Sequence, residues 1–326
     1  MSSSTLPTLA ELHAAQRLVQ AAMPPSPQYV WPQIAAPFGA EVWMKHENHG
    51  PVGAFKLRGG LVYVDALRRR DPSCTELVSA TRGNHGQSIG FAVRRAGLKA
   101  TIYVPIGNST EKNSAMRSLG VQLIEHGEDF QAASDQARLA AAERGAHFVE
   151  SFDPVLISGV ASYWLEFFAA QPALDVVYVP IGMGSGICAC IAARAALNLR
   201  TRIVGVVSAH APACALSLAR GELIEAPATT RLADGLACRR PNADALALIR
   251  AQVEEVLMVS DAEVAAAMRW IFRATHNVVE GAGAASLAGA WQQRARLAGL
   301  KVGVVATGGN VDSSLFALVL REEGLT

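Results

Sequence analysis

The sequence predicts an α/β protein made of two parallel-sheet units, on three observations. Apolar runs of strand length alternate with helical patterns along most of the chain. Two glycine-rich strand-to-helix turns lie about a hundred residues apart, at Arg82 to Gly86 and Gly182 to Gly186, which two α/β units account for. A length of 326 residues with 51% hydrophobic content suffices for one large or two ordinary domains with well-buried cores.

The elements follow in order. Leu9 to Val19 has the periodicity of an amphipathic helix. Leu77 to Ala80 predicts a strand followed by a helix to Arg95, and Ala100 to Val104 a strand followed by a helix near Lys112 to Leu119. Val121 to Glu125 precedes a helix over Phe130 to Arg144, and Val176 to Pro180 one over Ile187 to Leu199. Ile203 to Val207, Val256 to Val259 and Val304 to Ala306 read as further buried strands. Ligands of such folds collect beyond the carboxyl ends of the strands, so chemistry is expected at the two glycine turns and after Ala306.

Charge narrows the partners. The net charge is +1 with acids and bases interspersed, so no field exists to gather nucleic acid or an anionic membrane, and small neutral or zwitterionic ligands fit better. Met1 to Met23 has no basic segment leading into an apolar core, which predicts a cytoplasmic protein. The uncharged run from Val176 to Ala193 is broken by Pro180 and its glycines, and so reads as a strand running into a helix rather than a membrane span. Cys74, Cys188, Cys190, Cys214 and Cys238 are odd in number and lack metal-type spacing, so reduced thiols are expected.

Four segments carry chemical possibilities. Gly182-Met183-Gly184-Ser185-Gly186 presents backbone N–H groups at a helix start, suiting a phosphate, although a tight structural turn gives the same pattern. A dinucleotide site wants an acid at the end of the next strand, and that strand ends Val206-Val207-Ser208. Only five lysines accompany twenty-four arginines, and Lys56 sits in Gly53-Ala54-Phe55-Lys56-Leu57-Arg58-Gly59-Gly60, where small residues admit a planar ligand and Phe55 offers a ring face. A desolvated lysine there has a lowered pKa and attacks aldehydes, though surface lysines are commoner. Thr81-Arg82-Gly83-Asn84-His85-Gly86 suits a carboxylate, or is simply a helix start capped by Asn84. Thr307, in Thr307-Gly308-Gly309-Asn310, either meets a ring nitrogen or caps the following helix.

Taken together these segments resemble the fold type II pyridoxal-phosphate enzymes, and within them the serine/threonine dehydratase and serine racemase family. The resemblance runs nearly end to end through Lys45-His46-Glu47-Asn48, the lysine segment, Gly83-Asn84-His85-Gly86-Gln87, the phosphate turn, Ala233-Asp234-Gly235, Glu280-Gly281-Ala282-Gly283-Ala284 and Thr307-Gly308-Gly309-Asn310. It implies the tryptophan synthase β-subunit-like fold, with residues 1–75 and 151–326 as a large cofactor-binding domain, residues 76–150 as a small mobile one, and the active site between them. It further implies pyridoxal 5'-phosphate held by Lys56 as a Schiff base, stacked on Phe55, with Asn84 on its 3-hydroxyl, Gly182, Met183, Gly184, Ser185 and Gly186 around its phosphate, and Thr307 at its ring nitrogen. Thr81, Asn84 and the His85 backbone would take the substrate carboxylate, and Lys56 would remove the α-proton. The implied reaction is β-elimination from a β-hydroxy amino acid such as L-threonine, L-serine, phenylserine or 3-hydroxyaspartate, giving a 2-oxo acid and ammonia. A homodimer fits the same resemblance.

Several positions depart from the family pattern. Arg82 replaces a small residue, or the second proton-shuttling serine of racemases, and a guanidinium stays protonated, which disfavours racemisation. Arg82 either binds a substrate carboxylate or turns outward into a salt bridge, the outward arrangement being favoured. Val207 stands where a metal-binding glutamate is common, so no divalent cation is expected. Ser158-Gly159-Val160-Ala161-Ser162 replaces a glycine-rich segment and is expected to touch the cleft. The sequence reads Lys56-Leu57-Arg58 rather than Lys-Asp-Arg, which disfavours β-replacement. With the chain ending at Thr326, no feedback inhibition through a regulatory domain is expected. The alternatives are a catalytically idle relative, or a β-replacement enzyme or racemase of the same fold.

Overall fold

The computed structural model describes residues 6–322, so the expectations about a leader and about the chain end fall partly outside the described residues. Among the described residues ten strands form two sheets. Strands β1 (Gln28–Val30) and β2 (Glu41–His46) open the chain, and β3 (Glu76–Ala80), β4 (Lys99–Val104), β5 (Gln122–Glu125) and β6 (His147–Val149) follow. The last four are β7 (Val176–Pro180), β8 (Arg202–Ser208), β9 (Glu255–Val259) and β10 (Lys301–Ala306). The larger sheet has the order β1-β2-β10-β7-β8-β9, and the smaller, drawn wholly from residues 76–149, the order β5-β4-β3-β6. All pairings are parallel except β1 with β2.

The apolar runs are continuous rather than alternating because helices cover both faces of a parallel sheet. Every residue of β7 is buried, as is all of β10 after Lys301. Register then places the chemistry. Ala306 pairs with His46 and Val304 with Tyr178, so the turns leaving β10 and β7 emerge side by side at one edge of the sheet.

Three helices, Lys56–Arg70, Asn84–Ala96 and Pro154–Ala170, join the two sheets' surroundings. A Cβ on Gly60 would strike Ser88 Oγ, and one on Gly159 would strike the Arg58 carbonyl. The glycines after Lys56 therefore serve helix packing, whereas the sequence reading assigned them to ligand space. Likewise the segment from Ser158 to Ser162 lies inside the Pro154–Ala170 helix against the Lys56 helix and is absent from the cleft wall, because its small residues permit that approach.

Beneath this packing lies a buried charge network that composition did not reveal. Arg58 bonds Glu47 at 2.7 Å and Glu166 at 2.8 Å, and Lys45 bonds Glu166 at 2.9 Å. Burial alone would lower the Arg58 pKa, but Glu47 and Glu166 outweigh it and hold the guanidinium firmly charged. The five cysteines are unpaired, and burial pushes the thiols of Cys188, Cys214 and Cys238 up to about 12. No helix among the described residues is long and apolar enough to cross a membrane.

Candidate active site

The site is built from turns. Gly53, with φ +64° in the left-handed region, turns the chain so that the Phe55 N–H donates to the Thr307 carbonyl at 3.0 Å and the Gly309 N–H donates to the Gly53 carbonyl at 2.9 Å. Those bonds fasten the lysine segment to the turn after β10, and the helix starting at Lys56 points its amine back into the space between the sheets. Lys56 Nζ donates to Ser185 Oγ at 2.8 Å and lies 5.1 Å from the Phe55 ring centre. Burial lowers its pKa to about 8, so a substantial fraction of the amine is neutral near physiological pH.

Ser185 opens the helix Ser185–Ala196, whose N-cap is Gly184 at φ +100°. No side chain caps this helix, nor the helices beginning at Lys56 and Asn84. Six others carry side-chain caps, from Thr8, Ser109, Asp129, Asp153, Asn242 and Ser260. The helices starting at Asn84 and Ser185 thus keep their first N–H groups for an anion, as helix starts do when a ligand completes them, whereas at the Lys56 start the N–H groups of Phe55, Leu57 and Arg58 already donate to backbone carbonyls. A Cβ on Gly182 would collide with the Gly235 carbonyl, and one on Gly186 would sit 3.7 Å from Phe55.

All twelve residues singled out from the sequence, Phe55, Lys56, Thr81, Arg82, Asn84, His85, Gly182, Met183, Gly184, Ser185, Gly186 and Thr307, line one cleft of about 960 Å³ including its mouth. The simpler explanations recede for two of them. Asn84 is the first residue of its helix rather than its cap, and the helix after Thr307 starts at Ser313 with Asp312 as its N-cap. Thr81 Oγ1 accepts from the Gly83 N–H at 2.9 Å, which holds the turn in shape. His85 is buried and its pKa falls to about 3, through burial and then Lys56, so its ring stays neutral.

Arg82 corrects the favoured reading. No carboxylate among the described residues forms an ion pair with it, and its Nε is buried with no hydrogen-bond partner at the cleft wall. Salt-bridging outward is not what this side chain does.

A polar relay escaped the sequence reading. Asn310 Nδ2 donates to Asn84 Oδ1 at 2.8 Å, and Asn84 Nδ2 donates to Glu280 Oε1 at 2.6 Å. Lys112 Nζ then bridges Glu280 at 3.3 Å and Asp234 at 2.6 Å. Burial opposes charge on Lys112, but two carboxylates prevail and raise its pKa. Burial raises the Glu280 pKa and the charge of Asp234 adds to it, outweighing the opposing pull of Lys112. Lysine scarcity was the available signal, since Lys45 and Lys112 are buried like few lysines elsewhere. No group of three or more His, Cys, Asp or Glu side chains among the described residues is placed to hold a metal ion.

Comparisons with known proteins agree with this geometry. The family described as pyridoxal-phosphate dependent enzyme matches residues 19–308. An L-threonine ammonia-lyase of Geobacter sulfurreducens is 34% identical over 288 residues, covering 88% of this chain and 71% of its own length. An L-threo-3-hydroxyaspartate ammonia-lyase of Saccharomyces cerevisiae is 29% identical, covering 88% of this chain and 89% of its own. Among solved structures, a T.th. threonine deaminase superposes with a TM-score of 0.86 at 28% identity, over 94% of this chain and 99% of that one.

Proposed function

The chain belongs to the pyridoxal-phosphate dependent enzyme family, and from that premise we propose that it eliminates water from a β-hydroxy amino acid, releasing a 2-oxo acid and ammonia. Its homologues are ammonia-lyases, and the enzyme is a lyase that uses pyridoxal phosphate. One observation carries the assignment of the centre. The desolvated Lys56 amine sits 2.8 Å from Ser185, the first residue of the uncapped helix behind the Gly182 to Gly186 turn.

The residues present fit the cofactor. Lys56 supplies the amine for its carbonyl carbon, Phe55 a ring face, the turn from Gly182 to Gly186 a seat for its phosphate, Asn84 a donor for its 3-hydroxyl and Thr307 a neutral partner for its ring nitrogen. When bound, pyridoxal phosphate supplies an electron sink for charge developing at the substrate α-carbon. Because Thr307 is a hydroxyl and not an acid, it leaves the ring nitrogen largely unprotonated, which favours elimination over transamination.

The chain's own groups do the rest. Thr81, Asn84 and the N–H groups of the Asn84 helix start receive the α-carboxylate, where the helix dipole favours negative charge. Lys56 Nζ, with its pKa brought to about 8, takes the α-proton as general base. His85 stays neutral and contributes backbone only. The α-proton and the β-hydroxyl leave together as one water, and the remaining enamine becomes an imine that takes up water to give the 2-oxo acid and ammonia. Residues 76–150 act as a small domain that closes on the rest, a reading supported by the Lys112 contacts with Asp234 and Glu280. A cytoplasmic setting is supported by five unpaired cysteines.

The test is direct. Purified protein is expected to absorb visible light from its bound cofactor, and a panel of L- and D-β-hydroxy amino acids assayed for 2-oxo acid identifies the substrate. A colourless protein that takes up no cofactor overturns the assignment.

A further inference from the structure

Arg82 occupies an unusual electrostatic position. Arg82 lines the main cleft and also two neighbouring cavities, one beside Phe130 and Met183 and one beside Asn108 and Arg231. Four acids share these walls, and each already has a partner. Asp234 and Glu280 hold Lys112, Asp129 pairs with Arg239 at 3.0 Å, and Asp312 accepts from Ser109. Arg82 is left with none of them, while its Nε is sealed from solvent without an acceptor.

A buried N–H of a charged group without an acceptor is costly, and such groups in native proteins call for an explanation. A water-facing role does not supply one, because the buried atom is the one nearest the stem. A structural role does not either, since no acceptor among the described residues pairs with it. The terminal nitrogens of the same guanidinium are not sealed and have no acceptor among the described residues, so a ligand acceptor at the cleft wall can answer its charge. The guanidinium fork matches a carboxylate in two parallel hydrogen bonds better than any neutral group.

Which carboxylate follows from the layout. The substrate α-carboxylate has a seat at the uncapped start of the Asn84 helix, formed by backbone N–H groups and the Thr81 turn. Arg82 borders the two side cavities as well, which offer space for the far end of a substrate. We infer that Arg82 is a specificity-determining residue whose guanidinium binds a second carboxylate on the substrate side chain, so that the preferred substrate is a β-hydroxy dicarboxylic amino acid of the 3-hydroxyaspartate type rather than threonine. The inference rests on the elimination reading above and names its substrate class.

The test compares wild type, Arg82→Gln and Arg82→Lys as holoenzymes, with kcat and KM measured separately on 3-hydroxyaspartate and threonine. The wild type is expected to prefer 3-hydroxyaspartate. Arg82→Gln is expected to lower the ratio of the two kcat/KM values by at least about tenfold, chiefly through KM for the dicarboxylate. Arg82→Lys keeps the charge without the fork and is expected to restore part of the ratio. An equal fall for both substrates assigns Arg82 to the α-carboxylate and overturns the inference, as does an unchanged ratio. A binding arm stands apart from turnover: by calorimetry the wild type is expected to bind L-aspartate more tightly than L-alanine, and Arg82→Gln to lose that preference. Absence of turnover on every β-hydroxy amino acid would strike the elimination reading, while the calorimetric preference would still decide the role of Arg82.

Discussion

Lys56 Nζ and Ser185 Oγ, 129 positions apart in sequence, stand 2.8 Å apart in the cleft. The amine and the helix start behind the glycine turn are thus registered to each other by the protein alone, and a ligand that needs both finds them already spaced.

Cofactor capture should therefore depend on Lys56 and on its proton. With the pKa lowered to about 8, uptake of pyridoxal phosphate by the apoprotein is expected to accelerate as pH rises from 6 to 8 and to level off above about 9. Stopped-flow absorbance at several pH values measures this. Lys56→Ala is expected to lose covalent attachment, seen by mass after borohydride reduction, and about 1000-fold or more in turnover.

The same amine costs the apoprotein stability. Lys56 titrates near 10.5 when unfolded and about 8 when folded, so the folded state disfavours its proton by about 3 kcal/mol. For a lysine of depressed pKa, the penalty is complete below pH 8 and vanishes above 10.5. Lys56→Met apoprotein is expected to be more stable than wild type at pH 7 by about 1–3 kcal/mol, the gain shrinking as pH climbs toward 10.5. Urea denaturation at pH 7 and pH 10 checks it, and a gain independent of pH would disprove the electrostatic cause.

Gly184 and Gly182 should fail differently when given a methyl group. At φ +100°, Gly184→Ala is strained whatever the space, costing about 1–2 kcal/mol of stability, and its Cβ also meets Ala245. Gly182→Ala pushes on the Gly235 carbonyl at the cleft wall, so its expected signature is a cofactor affinity lowered about tenfold or more. Paired thermal melts and cofactor titrations separate the two.

Arg58→Met leaves Glu47 and Glu166 buried with only Lys45 to answer both, and a loss of about 3–5 kcal/mol is expected. Combining it with Glu47→Gln removes the stranded charge while keeping the Lys45–Glu166 pair, and should recover a large share. If the double variant melts no higher than Arg58→Met, uncompensated charge is not the cause.

Much of the architecture was legible because parallel strands buried on both faces must be apolar throughout. Val176–Pro180 and the helix Phe130–Arg144 were predicted to the residue, and the strands of the smaller sheet to within about one residue at each end except β6. His147–Val149 went unread because three residues give no period. The turns were legible too, since glycine in a strand-to-helix junction has few other uses. Partnerships were not. Arg58, Glu47 and Glu166 look like ordinary surface residues until two helices and the turn after β2 bring them together, and the link from Asn84 to Glu280 spans 196 positions. Gly59 and Gly60 were misassigned because a glycine admits a neighbouring helix as readily as a ligand, and only the fold tells which arrives.

The placement of β10 bears on how the protein is made. It lies between β2 and β7, and every pairing it makes is with a strand synthesised long before it. Until residues 301–306 leave the ribosome, β2 and β7 each hold an open apolar edge, the condition that invites non-native strand pairing. The smaller sheet, contained within residues 76–149, carries no such wait. Nascent chains arrested short of residue 300 are thus expected to fold the smaller sheet while leaving the larger one unfinished and prone to capture by chaperones.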